Sequence, residues 1–391
     1  MIYLDQASTS FPKAPGVAEA VYRYMTECGC NVGRGGYAGA YSAEEMVYDT
    51  RAQLCQLFGG EGAGCSPKSV VFTKNITESL NVLIQGLLRP GDHVLVSAME
   101  HNAVMRPLVI LEKRGVRFTR VPCAADGSLD PADVASRIEK STKAVILLHA
   151  SNVCGTVMPV AEIGALCRAR GIRLILDAAQ TAGLLPIDME AMGIDALAFT
   201  GHKGLLGPQG AGGFLIRPEL ASYLEPLIAG GTGSVSHTEE MPSFLPDRFE
   251  AGTLNLPGLA GLQAAVSWLL AQPRGALLAH ELDLTGRFLR GLEGLESSGA
   301  LRVVGRRDTR MRVGVVSVAP LRMDPAALAF RLDEGYGIAT RVGLHCAPAA
   351  HHTLGTFPTG TVRFSFGPFN TEAEVDAALT ALKELEERGW N

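Results

Sequence analysis

Apolar residues along this chain fall into two rhythms. From about residue 70 to 216, short and nearly unbroken apolar runs recur: "SVVFT" (69–73), "HVLVS" (93–97), "VRFTRV" (116–121), "KAVILLH" (143–149), "IRLILD" (172–177), "DALAFT" (195–200) and "GGFLIR" (212–217). Aliphatic residues at consecutive positions leave no polar face, which marks strands covered on both sides. Between most of them, over 78–88, 103–114, 131–139 and 160–170, apolar positions return every three or four residues, the spacing of a helix face. Strands alternating with helices predict an α/β domain with a mostly parallel sheet covered by helices. Thr77 is placed to cap the helix that begins "ESLNVLIQGLL".

A different order follows. Residues 257–271 and 276–296 read as long helices, then come a strand (313–318), a helix (324–334), a strand (361–366) and a helix (372–388). This is a smaller α+β unit. The stretch 230–258 is rich in Gly, Ser and Pro and reads as a long irregular connection, a place where function often lies. The expected organisation is an N-terminal arm over 1–12, a large domain over 13–255 and a small C-terminal domain over 256–391.

Composition narrows the function. With 391 residues and 47% hydrophobic content, the chain can bury a large core. The net charge is -5 and no basic stripe is visible, so nucleic acid is not an expected partner. No apolar stretch is long enough for a bilayer, and the start lacks a basic segment followed by an apolar one. A cytoplasmic protein with no membrane partner is expected. Of the eight cysteines, none forms a C-x-x-C pair, so no zinc framework is expected and buried inert thiols are the default. One stretch, "RVGLHCAPAAHHTLG" (341–355), sets Cys346 among three histidines. Taken alone it permits a metal ligand, a core thiol or a nucleophile.

In α/β sheets, ligands gather at the carboxyl ends of the strands. There the sequence places Glu100-His101-Asn102, Ser151-Asn152, Asp177 with Gln180, and Thr200-Gly201-His202-Lys203. Lys203 follows a buried strand directly and has no carboxylate near it in sequence. Desolvation lowers a lysine's pKa, and a neutral amine forms Schiff bases. Phosphate binding by the glycine-rich "GHKGLLGPQGAGG" is the other reading, although no G-x-x-x-x-G-K-[ST] is present. A reactive lysine with a buried Asp upstream is what pyridoxal 5'-phosphate (PLP) needs: an amine for its aldehyde and a carboxylate for its ring nitrogen. Asp177 read otherwise is a helix cap. His101 is placed to stack on the ring, and Thr77 lies at a helix N-terminus suited to a phosphate. Arg363, within the apolar run "TVRFSFG", suits a substrate carboxylate or an internal salt bridge.

These segments together resemble the cysteine desulfurase group of class V aminotransferase-fold PLP enzymes. The resemblance runs almost end to end, through "YLDQASTS", "FTKNITESLN", "MEHNAV", "HASNVCGT", "DAAQ", "TGHKGLLGPQG", "FEAGTLNLPG", "RVGLHCA" and "VRFSFGPFNT". It implies the PLP-dependent transferase fold of type I and a homodimer. It also implies that Lys203 is the Schiff-base lysine and the base for the Cα proton. Asp177 pairs with the pyridine nitrogen, Gln180 reaches the phenolic oxygen, and His101 stacks on the ring. Thr77, Thr200 and His202 hold the phosphate, with Thr253 reaching the phosphate of the other subunit. Asn152 and Arg363 hold the substrate carboxylate, while Arg341 and Arg34 are weaker candidates for substrate contact. Cys346 takes the sulfur of L-cysteine as a persulfide, alanine leaves, and the sulfur passes to an acceptor protein, as in iron–sulfur cluster assembly. His345 or Arg341 are the candidate cations that favour the Cys346 thiolate.

The chain departs from the family pattern at Gly33, where a histidine is common, at Ile76, where a threonine is usual, and at Gln6 and Ser8 in "DQAS". Other readings stay open. They are selenocysteine lyase chemistry on the same site, another class V lyase, epimerase or aminotransferase that leaves Cys346 a bystander, and a metal-dependent sulfur carrier using Cys346, His345, His351 and His352.

Overall fold

The computed structural model describes residues 1–59 and 65–388. All seven runs of the first block form strands of one sheet. Their spatial order is Val70–Thr73, Gly212–Ile216, Ala196–Thr200, Arg173–Asp177, Thr142–Leu148, His93–Ser97 and Arg117–Val121. The last five of these are parallel to one another. Gly212–Ile216 runs antiparallel to both its neighbours. The cause is the short connection: residues 201–211 are too few for the crossover helix that a parallel return needs. The sheet's one reversal is therefore the segment that carries Lys203.

Side chains alternate along each strand between two apolar layers. Leu174, Leu176, Leu197 and Phe199 enter the layer shared with the helices Ala38–Phe58, Val160–Arg170 and Leu256–Leu270. Ile175, Ala196 and Ala198 enter the opposite layer, with Ile76–Leu87 and Asn102–Glu112. Each fully buried aliphatic side chain contributes about 1.5–3 kcal/mol. Sheet and helices thus form a rigid platform.

The remaining elements form a four-stranded antiparallel sheet in the order Arg341–Gly343, Thr361–Ser365, Val315–Pro320, Leu301–Val304. Helices Ala276–Ser297, Pro325–Tyr336 and Glu372–Glu387 supply its core, centred on Phe288 and Phe364. The N-terminal arm joins this unit. Ile2–Tyr3 pairs in parallel with Ile338–Ala339, Leu4 is buried in the same core, and the Leu4 carbonyl accepts the Ser365 N–H at 2.7 Å. Leu256–Leu270, which opens the expected second domain, packs on Ala38–Phe58 in the first core.

Two expectations change, and one helix is new. Asn75, not Thr77, caps the helix: its side chain accepts the Glu78 N–H at 3.0 Å, and the Glu78 carboxylate accepts the Lys74 N–H at 2.7 Å. An asparagine side chain reaches the free N–H groups from the extended backbone that precedes a helix, and Thr77 already lies inside the first turn. The helix expected over 131–139 ends at Ala135. The long helix Ala38–Phe58 has no counterpart in the reading of the sequence. Among the described residues, no helix is long and apolar enough to cross a membrane.

Candidate active site

His93–Ser97 and Thr142–Leu148 are neighbours in the sheet, but the chain leaves the first outward, to Arg117–Val121, and returns to the second. Such a switch opens a crevice at the carboxyl ends of the strands. His101 follows one of these strands and Asn152 the other. Asp177 ends the next strand, Thr200 ends the one after that, and His202 and Lys203 follow it. The residues expected at the site therefore meet on one edge.

Asp177 is buried, and its carboxylate accepts the Ala179 N–H at 2.9 Å. Burial raises its pKa, opposed by that bond and by the charge of Lys203. A carboxylate so placed favours a cationic partner such as a protonated ring nitrogen. Lys203 is half-buried. Burial and the neighbouring Arg363 charge lower its pKa to about 8, against the pull of Asp177. At pH 7 about a tenth of its amine is then neutral and free to react, against less than about a thousandth for an ordinary lysine. His101 caps the helix Asn102–Glu112 by accepting the Ala103 N–H at 3.0 Å on its Nδ1. Burial and the Lys203 charge lower its pKa to about 4, so its ring stays neutral. Gln180 donates to the Ala7 carbonyl at 3.1 Å.

The opposite end of the crevice suits a phosphate. Thr73 pairs with Gly212, and Gly212 with Thr200, so the start of the helix Ile76–Leu87 stands beside Thr200. Gly212 is required here, because a Cβ on it would lie 2.9 Å from Asn75 Cα. Thr77 is exposed in the first turn, where helix N–H groups lack intrahelical partners. Nine buried side-chain atoms among the described residues have no hydrogen-bond partner, and four belong to expected site residues: Thr200 Oγ1, His202 Nδ1, Asn152 Oδ1 and Arg363 Nε. Orphaned polar atoms of this kind need an explanation, and a bound ligand is one.

The thiol end is built by the smaller sheet. Arg341–Gly343 leads into a turn in which His345 and Cys346 adopt positive φ, 48° and 57°, before the short helix Pro348–Thr353. Three bonds fix that turn. Asn152 Nδ2 donates to the His345 carbonyl at 2.8 Å, the Asn102 N–H donates to the Cys346 carbonyl at 2.8 Å, and His345 Nε2 pairs with Thr361 Oγ1 at 2.9 Å. Cys346 itself is exposed. Arg363 is buried and donates to the Asn152 carbonyl at 3.0 Å and to Asp5 at 3.0 Å. Of the two readings of Arg363, the internal salt bridge is present, and its Nε has no partner.

His345 is not the cation expected beside the thiol. Burial and the Arg363 charge push its pKa far down, leaving Arg341 as the nearby positive group. The other histidines of the stretch also have separate occupations. His351 is buried against Thr356 at 2.7 Å, and His352 stacks on Phe357. They do not converge on Cys346, and no group of three or more His, Cys, Asp or Glu suited to a metal occurs among the described residues.

Two further expected residues are exposed. Arg34 is exposed and donates to the Ser234 carbonyl at 2.9 Å in the long connection. Thr253 is exposed and lines a surface cavity with Thr73, Lys74 and Glu78. Two residues the sequence reading passed over stand near the site. Asp5 joins Arg363 to Arg341. Glu281 is buried on a helix, and its carboxyl borders a cavity of about 40 Å³ also lined by Gln6, Ser10, Gln180 and Lys203. Burial raises its pKa to about 8. A carboxylate at position five of an arm and one acid in a long amphipathic helix carry no local signal of such placement.

A lysine and a buried aspartate on adjoining strand ends of a mostly parallel sheet, with a helix N-terminus alongside, are the architecture of fold-type I PLP enzymes. The chain belongs to the class V aminotransferase family, whose model matches residues 2–378. It is 35% identical to a probable cysteine desulfurase from Methanothermobacter thermautotrophicus, over 98% of this chain and 94% of the relative. It is 31% identical to the cysteine desulfurase IscS of Anaeromyxobacter dehalogenans, over 98% and 92%. Among solved structures, the apo cysteine desulfurase from Thermococcus onnurineus superposes with a TM-score of 0.90 at 32% identity, covering 98% of this chain and 94% of that one. The S-sulfonic acid form of the cysteine desulfurase CsdA from Escherichia coli gives 0.86 at 29%, covering 99% and 94%.

Proposed function

We propose that this chain is a PLP-dependent cysteine desulfurase that converts L-cysteine to L-alanine and holds the sulfur as a persulfide on Cys346. The observation that carries this reading is the convergence of an exposed thiol with the lysine crevice through Asn152, which bonds the Cys346 turn and also accepts from Arg363. A class V enzyme with Cys346 as a bystander would not need that turn fixed at the crevice.

The residues fit the cofactor. Asp177 would face its ring nitrogen, Gln180 its phenolic oxygen and His101 its ring. The orphaned Thr200 Oγ1 and His202 Nδ1, with the Thr77 helix start, would take its phosphate. Bound there, PLP supplies an electron sink next to the substrate Cα. The chain does the rest. Arg363 and Asn152 hold the substrate carboxylate, and Lys203 takes the Cα proton and returns one to the product. The Cys346 thiolate attacks the substrate sulfur. A sulfur–sulfur bond forms as the substrate carbon–sulfur bond breaks, and the carbon fragment leaves as alanine. The exposed Cys346 thiol can then meet an acceptor protein, and a groove of about 740 Å³ lined by Met105, Arg106, Arg120 and Pro348 borders the helix that follows it.

We infer a homodimer as well. Tyr37, Tyr41 and Tyr48 stand exposed on and just before the helix Ala38–Phe58, with Tyr22 and Met25 also exposed. Exposed apolar groups in such number mark an interface, and Tyr41→Asp is expected to shift the sedimenting species to monomer. All eight cysteines are free thiols, in keeping with a reducing cytoplasm.

The central experiment incubates the holoenzyme with L-cysteine, quantifies alanine and maps persulfide by mass spectrometry. Alanine and a persulfide on Cys346 are expected in equal amounts at first turnover. A Cys346→Ala protein that keeps PLP and still accumulates protein persulfide overturns the assignment. Turnover of selenocysteine in the same assay reports the preferred chalcogen.

A further inference from the structure

Arg363 and Arg341 lie directly opposite each other on adjacent antiparallel strands. Like charges so placed repel. Asp5 lies against both. Its carboxylate accepts from Arg363 Nη2 at 3.0 Å, and from Arg341 Nε at 3.0 Å and Nη2 at 2.9 Å. Two guanidinium groups and one carboxylate leave a net charge of about +1, which one further carboxylate neutralises. Arg363 is bonded by Asp5 and by the Asn152 carbonyl, while its Nε has no partner. The arm that carries Asp5 is itself fixed. Asp5 bridges to Ser365, and the Ser365 hydroxyl accepts the Ala7 N–H at 2.9 Å. Arg341 begins the strand that ends just before the Cys346 turn.

We propose that Asp5 is a positioning residue: its carboxylate orients Arg363 toward an amino-acid carboxylate and ties it to Arg341 at the root of the Cys346 turn. One side chain then sets the separation between the substrate anchor and the thiol. This rests on Arg363 being the carboxylate anchor. It does not require sulfur chemistry.

The test compares two ligands of the holoenzyme by titrating the absorption of its bound cofactor. L-Alanine has the carboxylate, and ethylamine is the same molecule without it. Asp5→Asn is expected to weaken L-alanine by about thirtyfold or more and to leave ethylamine within about twofold, a loss at the lower end of what truncating a buried charge pair costs. The alkylation rate of Cys346 by iodoacetamide should rise severalfold, and Asp5→Glu, which keeps the charge, should recover most of both effects. Equal weakening of the two ligands, tighter L-alanine binding, or no rescue by Asp5→Glu would overturn the proposal. If Asp5→Asn does not fold, Arg341→Gln removes half of the bridge. Cys346 alkylation, read as its high-pH plateau so that the Arg341 charge beside the thiol no longer sets the thiolate fraction, then speeds up, and an unaltered plateau rate overturns the tie. Failure of wild-type protein to form alanine from L-cysteine would instead refute the desulfurase reading, leaving the two-ligand comparison intact.

Discussion

Lys203 and Asp177 are placed by adjoining strands whose residues are buried on both faces. Cys346 is placed by a turn between the three-residue strand Arg341–Gly343 and the six-residue helix Pro348–Thr353. The first end is held by a ladder and two apolar layers, and losing one bond there changes little. The second end is held by a few hydrogen bonds that cross from one part of the chain to another, and the two residues at its tip have left-handed backbones. The contrast separates two jobs. On the proposed mechanism, one end keeps a reactive group still, and the other presents a thiol that acts inward and then outward.

The strongest way to sharpen that contrast is Lys203→Ala. Alanine formation should fall by about 10³-fold or more, since both the nucleophilic amine and the base are lost. Thermal stability should barely move, because the ladder remains, and calorimetry checks this. At the other end, Thr361→Val removes the hydroxyl that pairs with His345 and keeps the shape. A bond of this kind is worth about 1 kcal/mol. Persulfide formation in single turnover should slow severalfold while cofactor absorption stays unchanged.

The pH response separates the ends further. Lys203 has a pKa lowered to about 8, so its amine becomes neutral as pH rises through 8. Competitive labelling of Lys203 in cofactor-free protein should show that midpoint, and one above 10 would contradict the burial argument. Asp177→Asn should lower the midpoint again, because it removes the carboxylate that raises it. His101 and His202, both lowered to about 4, should add no transition near pH 6.5.

The smallest effect lies at Glu281. Its folded pKa, raised to about 8, exceeds the ordinary carboxyl value, so its neutral form is favoured by folding. Its contribution to stability is fully present below the unfolded pKa and is lost as pH rises through 8. Glu281→Gln should therefore raise the thermal midpoint by a few degrees at pH 8.5 and leave it nearly unchanged at pH 4. A gain at both pH values would show that packing, not ionisation, is responsible.

The sequence made one end of the site far more legible than the other. Strands buried on both faces announce themselves by unbroken apolar runs, and the residues after them are read directly, which is how His101, Asn152, Asp177 and Lys203 were assembled. Asp5 has no such signal, because its partners Arg341 and Arg363 are remote in sequence. Glu78 made Asn75 the better cap, yet both Asn and Thr satisfy the local rule, and the choice rests on where the backbone turns. Ala38–Phe58 is hard to read from sequence because its opening, "AGAYSAEEM", mixes small, polar and aromatic residues without a strong apolar face. His345 reads as a cation from its neighbours in sequence alone, because its burial comes from a strand more distant in the chain through Thr361.

The N-terminal arm has a consequence for biosynthesis. Leu4 and Asp5 complete contacts with Ser365 and Arg363, more than three hundred residues later in the chain. Contacts of that separation form late. A ribosome releasing this protein therefore exposes the lysine-bearing sheet well before the arm can settle. The Arg363–Asp5–Arg341 bridge and the footing of the Cys346 turn become whole only when almost the entire chain has emerged, so a truncated product can carry the lysine and lack that bridge.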